Sequence, residues 1–242
     1  MSVYAGPNTT QSGLVLHIDP SNPRCYPGSG STLFDLSGGG NNGTLTNGAS
    51  VITNRAGRAL DFDYVSGGNR QAVELPNRVS VRGFSAACLS LWCNLQTGPA
   101  DNAALYYEST ATEGFTKFGI FQSSANQLIF VCRDTTTGSS FSVSHTPTAG
   151  QWNHVAGNYN ASNDLMELFV NGISVGTNTT AKGNIVDDAP ATEIAIGAFT
   201  RVLPASAYSV NALIDDVRVY NRALSDSEIL NNFNATRGRY GI

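Results

Sequence analysis

Leu213-Ile214-Asp215-Asp216-Val217-Arg218-Val219-Tyr220 runs into Asn221-Arg222-Ala223-Leu224-Ser225-Asp226-Ser227-Glu228, and the two halves of this stretch follow different rules. In the first half apolar residues recur at alternate positions, the pattern of a strand with one face in a core. In the second, Ser225 and Glu228 have capping-box spacing: the serine hydroxyl accepts from the Glu228 amide, and the glutamate reaches back. Leu224 and Ile229 occupy the staple positions that flank such a box. The reading is a strand followed by a helix that runs through Leu230 to about Phe233, pinned to a sheet by its apolar residues.

Other period-two segments lie upstream. Leu14 to Ile18, Cys88 to Cys93, Leu128 to Cys132, Phe141 to Ser144, Trp152 to Tyr159, Leu165 to Val170 and Glu193 to Gly197 all read as strands. Asn41-Asn42-Gly43, Asn47-Gly48, Gly67-Gly68-Asn69, Thr137-Gly138 and Asn171-Gly172 separate them as turns. Strands at this spacing imply an antiparallel sandwich or jelly roll rather than parallel βαβ units. Composition agrees. Gly, Ser, Thr and Asn supply 93 of 242 positions, and only 13% of residues are charged. Mean hydropathy is -0.12. Fourteen basic against eighteen acidic side chains give a net charge of -4, with no basic stripe for nucleic acid. No apolar run reaches the 18 residues of a membrane span. The start, Met-Ser-Val-Tyr-Ala-Gly-Pro, has neither the basic nor the apolar region of a secretory signal. The expectation is therefore a chain made in the cytoplasm. Its cysteines (Cys25, Cys88, Cys93 and Cys132) lack metal spacing and are expected to be free core thiols.

The chemistry-bearing residues are few. His17 and His154 lie inside strands, where a structural role is expected, and His145 precedes a turn and should be exposed. No nucleophile elbow, metalloprotease helix or phosphate loop occurs. The glutamates (Glu74, Glu108, Glu113, Glu167, Glu193 and Glu228) show no Glu-x-Asp-x-x-Glu run that would place glycosidase acids along one strand. Asp61 and Asp63 are the only same-face carboxylate pair in a strand-like setting. A non-enzymatic protein follows. Asp215 is the informative acid. By simple alternation it shares a face with Val217 and Val219 and so starts on core parity, where an uncompensated carboxylate costs several kcal/mol. Two compensations fit: backbone amides at a strand end, or a structural calcium gathered with carbonyls and an early carboxylate, Asp35 or Asp19.

Several segments together resemble the laminin-G-like, concanavalin A-like jelly-roll family. They are Trp152-Asn153-His154-Val155-Ala156, Leu168-Phe169-Val170-Asn171-Gly172, the closing strand and helix start quoted above, Gly13 to Asp19, and Asp35-Leu36-Ser37-Gly38 with Asn41 to Leu45. The resemblance spans about Gly13 to Phe233. It implies two antiparallel sheets of about six or seven strands each and, in many members, a structural calcium, which favours Asp215 as a ligand. Function is not implied by the fold. Glu228 to Ile242, with Asp19 to Gly30, also looks like segments of jelly-roll proteins in tailed-phage virions. From this the expectations are a jelly-roll domain over 13–236 between terminal arms 1–12 and 237–242, the arms docking on neighbouring virion proteins of the capsid or tail. A homo-oligomer is expected, as is localisation to the virion. Host surface glycan is a further expected partner, with Tyr106, Tyr107, Phe115 and Tyr208 as stacking candidates and Trp92 as packing. Neither nucleic acid nor membrane insertion is expected. The alternative is a lectin-like carbohydrate-binding module of a cellular or secreted protein.

Overall fold

The computed structural model describes residues 8–64, 70–96, 102–110, 116–187, 192–198 and 210–242. The Gly67-Gly68-Asn69 turn, Val3-Tyr4 of the N-terminal arm, Phe115 and Tyr208 lie outside them. In chain order the strands are β1 (Leu14–Ile18), β2 (Thr32–Leu33), β3 (Gly43–Thr46), β4 (Ser50–Asn54), β5 (Gly57–Phe62), β6 (Ala72–Leu75), β7 (Ala86–Leu95) and β8 (Ala103–Thr110). They continue as β9 (Thr116–Gln122), β10 (Leu128–Arg133), β11 (Ser140–His145), β12 (Trp152–Asn160), β13 (Leu165–Val170), β14 (Ile173–Asn178), β15 (Thr192–Ile196) and β16 (Ala212–Tyr220). One helix, α1 (Asp226–Tyr240), follows.

These strands form two sheets of eight. The first has the order β14-β13-β12-β7-β16-β5-β4, with β1 also paired to β16; the second is β11-β10-β9-β8-β15-β6-β3-β2. Every strand pair is antiparallel. The expected all-β two-sheet sandwich with a C-terminal helix is what forms, with more strands per sheet than expected. Between the sheets Leu89, Leu91, Cys93, Val217 and Val219 of the first meet Tyr106, Phe118, Ile120, Phe130 and Ile194 of the second. Approach is close where Phe130 lies over Gly157, at which a Cβ would come within 2.3 Å of the ring. All four cysteines are free and buried. Cys93 belongs to this core and Cys88 to the opposite face of the same strand, as alternation requires.

That opposite face of the first sheet is covered by α1. The capping box forms as read, with Ser225 accepting from the Glu228 amide, and the staple residues Leu224 and Ile229 share a cluster with Phe169 and Tyr220. The helix does not stop near Phe233. It continues to Tyr240 and is capped by Gly241 at φ 77°, so the expected arm 237–242 is a correction: most of it is the last turn of α1, held by a buried Tyr240. Residues 8–12 also dock on the chain itself. Asn231 donates to the Asn8 carbonyl, Asn232 accepts from the Thr10 amide and the Tyr220 hydroxyl donates to the Thr10 carbonyl. Among the described residues no helix is long and apolar enough to cross a membrane.

Candidate functional site

The polar centre of the molecule begins at an irregularity in β16. Asp216 sits at φ 49°, and the pairing with β7 shifts register between Asp215 and Arg218. This bulge inserts one residue into the alternation. Ile214, Val217 and Val219 consequently face the core, while Asp215, opposite Trp92, faces α1. Asp215 is buried as expected, but on the other face of the sheet from the one that parity assigns.

Its compensation comes from the end of the chain. Arg239 places Nη2 2.6 Å from the Asp215 carboxylate and Nη1 3.0 Å from Asp19. The Tyr240 hydroxyl donates to Asp215 at 2.9 Å. Burial still drives the Asp215 carboxyl up to about 8, against the pull of Arg239. Asp216 behaves in the opposite way: burial would raise it, but Arg218 and then His17, both at 2.8 Å, hold it below the ordinary carboxylate range. The third expected ligand, Asp35, accepts from the amides of His17, Ser37 and Asn41 and from the Ser37 hydroxyl. Asp19 and Asp215 are thus brought together by Arg239, while Asp35 organises a loop beside them.

These residues do not suit calcium. His17, Asp19 and Asp216 offer ligand atoms within 4.8 Å of one another. Calcium wants six to eight oxygens, yet the carboxylates here are engaged by Arg218 and Arg239. An ion would have to displace two guanidiniums, so no role is derived for one.

Around this centre lies an aromatic stack. Trp92 lies against Tyr240 at 3.8 Å between centroids and near Phe233 at 5.8 Å, and its Nε1 donates to Thr236. His154 packs 5.4 Å from the same indole, and burial lowers it to about 4, a neutral structural histidine. Trp152, at the start of β12, is half-buried and reaches Tyr240 at 4.9 Å. Here the stack opens to the surface. A hollow of about 220 Å³ is walled by Trp152 and Tyr240, by Arg55 on the β4–β5 turn, and by Gly238, Arg239 and Gly241 of the helix end. Gly238 is unusual because it is a helix-interior glycine, costing about 1 kcal/mol relative to alanine. No packing requires it, since a Cβ there would meet nothing within 4 Å. The space it leaves is part of the hollow.

Sequence reasoning missed this site. Trp152 was read as part of a strand, and Arg239 and Tyr240 as part of an arm. The spacing Ile214 to Val217, three residues where a regular strand allows two, was the available sign of the bulge. The expected stacking residues fare differently. Tyr106 and Tyr107 are buried and donate to Glu108 and Glu193; they are corrected to packing residues, because Tyr106 lies in the core between the sheets and Tyr107 packs with Ala72, Phe121 and Ala195 on the other face of its strand. Trp92 is packing, as expected. A larger hollow of about 330 Å³ at the helix N-terminus is polar, but its Asn158 amide is spent on the backbone of Leu224.

The architecture and this site define a class. A family model described as the concanavalin A-like lectin/glucanases superfamily matches residues 67–230, well over half of the chain, and the chain belongs to that superfamily. Comparison with proteins of curated function matches none. Among solved structures, it is similar to the binding domain of Paraclostridial Mosquitocidal Protein 1 (15% identity, TM-score 0.66, 93% of this chain and 52% of that one). Similar too is botulinum neurotoxin type C, from a structure concerned with cell entry through two ganglioside molecules (15%, TM-score 0.67, 93% and 51%). A third is Trypanosoma rangeli sialidase (16%, TM-score 0.63, 94% and 33%). The chain spans about half or a third of these proteins, and at such identity the likeness is one of fold.

Proposed function

We propose that this chain is a non-catalytic, lectin-like module that binds glycan in the hollow beside Trp152. The observation that carries the reading is a half-exposed indole in the wall of a surface hollow whose helix side is lined by glycine rather than by a side chain. Sugar rings present apolar faces to aromatic walls and hydroxyls to polar ones. The superfamily match supports the class, as do the toxin neighbours, whose structures concern cell entry through two ganglioside molecules and a binding domain in complex with SialylT. Two of the described glutamates support a non-catalytic role. Glu108 is sealed in the core, where burial lifts it to about 7, and Glu228 is committed to Arg222 and the helix cap. The test is binding to an immobilised glycan panel. Trp152→Ala and Gly238→Leu should both abolish it, and the second leaves the aromatic stack intact. Glu74 and Glu193 stand on the neighbouring strands β6 and β15. Release of reducing ends from any panel glycan, lost in Glu193→Gln, would overturn the non-catalytic part.

The virion of a tailed phage is the setting that the sequence resemblance favours, as a capsid-decorating or tail protein meeting host glycan. The low-charge, Ser-, Thr- and Asn-rich composition suits packing against other virion proteins or further copies of itself, although the C-terminal segment expected to make such contacts is folded inward. Counting this chain against the major capsid protein in purified particles, by mass spectrometry, tests the setting; absence from particles removes it.

A further inference from the structure

We infer that the hollow selects sugars bearing an anionic group, a carboxylate or a sulfate, over their neutral counterparts; this rests on the lectin reading of the same hollow. The argument is one of local charge against the average. The chain as a whole carries a net -4, and a random surface cleft would be acidic or neutral. Among the described residues lining this one no carboxylate occurs, and the two ionised side chains present are Arg55 and Arg239. Arg55 is exposed at the rim, and Arg237, also exposed, precedes Gly238 on the same helix turn. The acids that lie nearby are turned away from the opening. Asp215 is fully buried and Asp19 largely so, both held by Arg239.

The geometry of the walls suits such a ligand. A ring stacked on Trp152 would share the hollow with the turn carrying Arg55 and with the glycine-lined helix end. Guanidinium offers a planar fork of donors that matches a carboxylate or sulfate in two parallel hydrogen bonds, and its charge is independent of pH over the physiological range. The indole supplies affinity common to all sugars, and Arg55 supplies the preference. An attraction of this kind at a partly open site is weakened by salt.

The experiment is a titration panel in which each neutral oligosaccharide core stands beside its sialylated, uronic acid-capped and sulfated forms, run with the wild-type chain, Arg55→Gln and Gly238→Leu. The wild type should bind at least one acidic form about tenfold tighter than its neutral core. Arg55→Gln should reduce that form to the level of the core while leaving the core unchanged, and Gly238→Leu should remove both. High salt should erase the difference between the forms. The sialylated, uronic and sulfated arms identify which anion is preferred. Equal binding of neutral and acidic forms, unaffected by Arg55→Gln, overturns the anionic preference and leaves the lectin reading standing. Binding of no panel member overturns the lectin reading itself. Binding retained in Gly238→Leu moves the site elsewhere and overturns both statements about this hollow. Arg55 is exposed, so thermal melting of Arg55→Gln should match the wild type.

Discussion

At its N-terminal end α1 meets the first sheet through Leu224 and Ile229 against Phe169 and Tyr220, with Arg222 and Glu228 tying the cap from outside. At its C-terminal end the same helix meets the same sheet through a buried carboxylate, a guanidinium shared by two acids, and Tyr240 lying on Trp92. The first attachment is local, apolar and tolerant, since each contact can be weakened separately. The second is long-range and coupled. Removing one of its members strands the polar groups of the others in a medium that cannot solvate them. The difference teaches that the end which holds the proposed glycan hollow in shape is also the end most vulnerable to a single change.

The sharpest way to break this comparison is Arg239→Ala. Leaving Asp19 and Asp215 without the guanidinium they share should cost about 3 kcal/mol, read as a fall in urea midpoint at pH 7. Adding Asp215→Asn to Arg239→Ala should recover part of that loss, and if it recovers none, the contact between Asp215 and Arg239 is not what fastens this end. Next in size is an acid limb. His154 is neutral in the fold with its value lowered to about 4 from 6.5, so below 6.5 the unfolded chain takes up a proton that the folded one refuses. This group's own contribution should rise by about 3 kcal/mol between about pH 4 and 6.5, while Asp215 and Glu108, lifted to about 8 and about 7, pull the other way over the same window; the difference between wild type and His154→Phe should therefore climb with pH in denaturation measured at several pH values. At the other end of the helix the effects shrink. Ser225→Ala should cost about 1 kcal/mol through loss of the cap, with no change in glycan binding. Smallest, and opposite in sign, Gly238→Ala should stabilise by about 0.5 kcal/mol in thermal melts, because its Cβ enters open space.

Much of the sandwich could be read in advance because alternation and turn chemistry are local. Leu165 to Val170 was bounded as the structure has it, and the helix start followed from Ser225 and Glu228 alone. What escaped was whatever depended on a break in periodicity or on partners far along the chain. The bulge at Asp215 and Asp216 reverses which residues face the core, so alternation gave the right burial for Asp215 on the wrong side of the sheet. A polar tail of Asn, Thr, Arg and Gly offered no apolar stripe with which to extend the helix. Its continuation is decided by Trp92, Asp19 and Asp215, all distant in sequence. The hollow was illegible for the same reason: Arg55, Trp152 and Gly238 become neighbours only once the closing helix is in place.

The ion pair between Asp19 and Arg239 joins residues 220 positions apart, and that has a kinetic meaning. Loop closure over such a span is entropically costly, and folds dominated by distant contacts assemble slowly. On a growing chain the indole of Trp92 stays uncovered until Tyr240, far downstream, emerges and lies down on it. The hollow proposed to bind glycan therefore takes shape only after the helix that follows all sixteen described strands has been made, and it should form in one step rather than strand by strand.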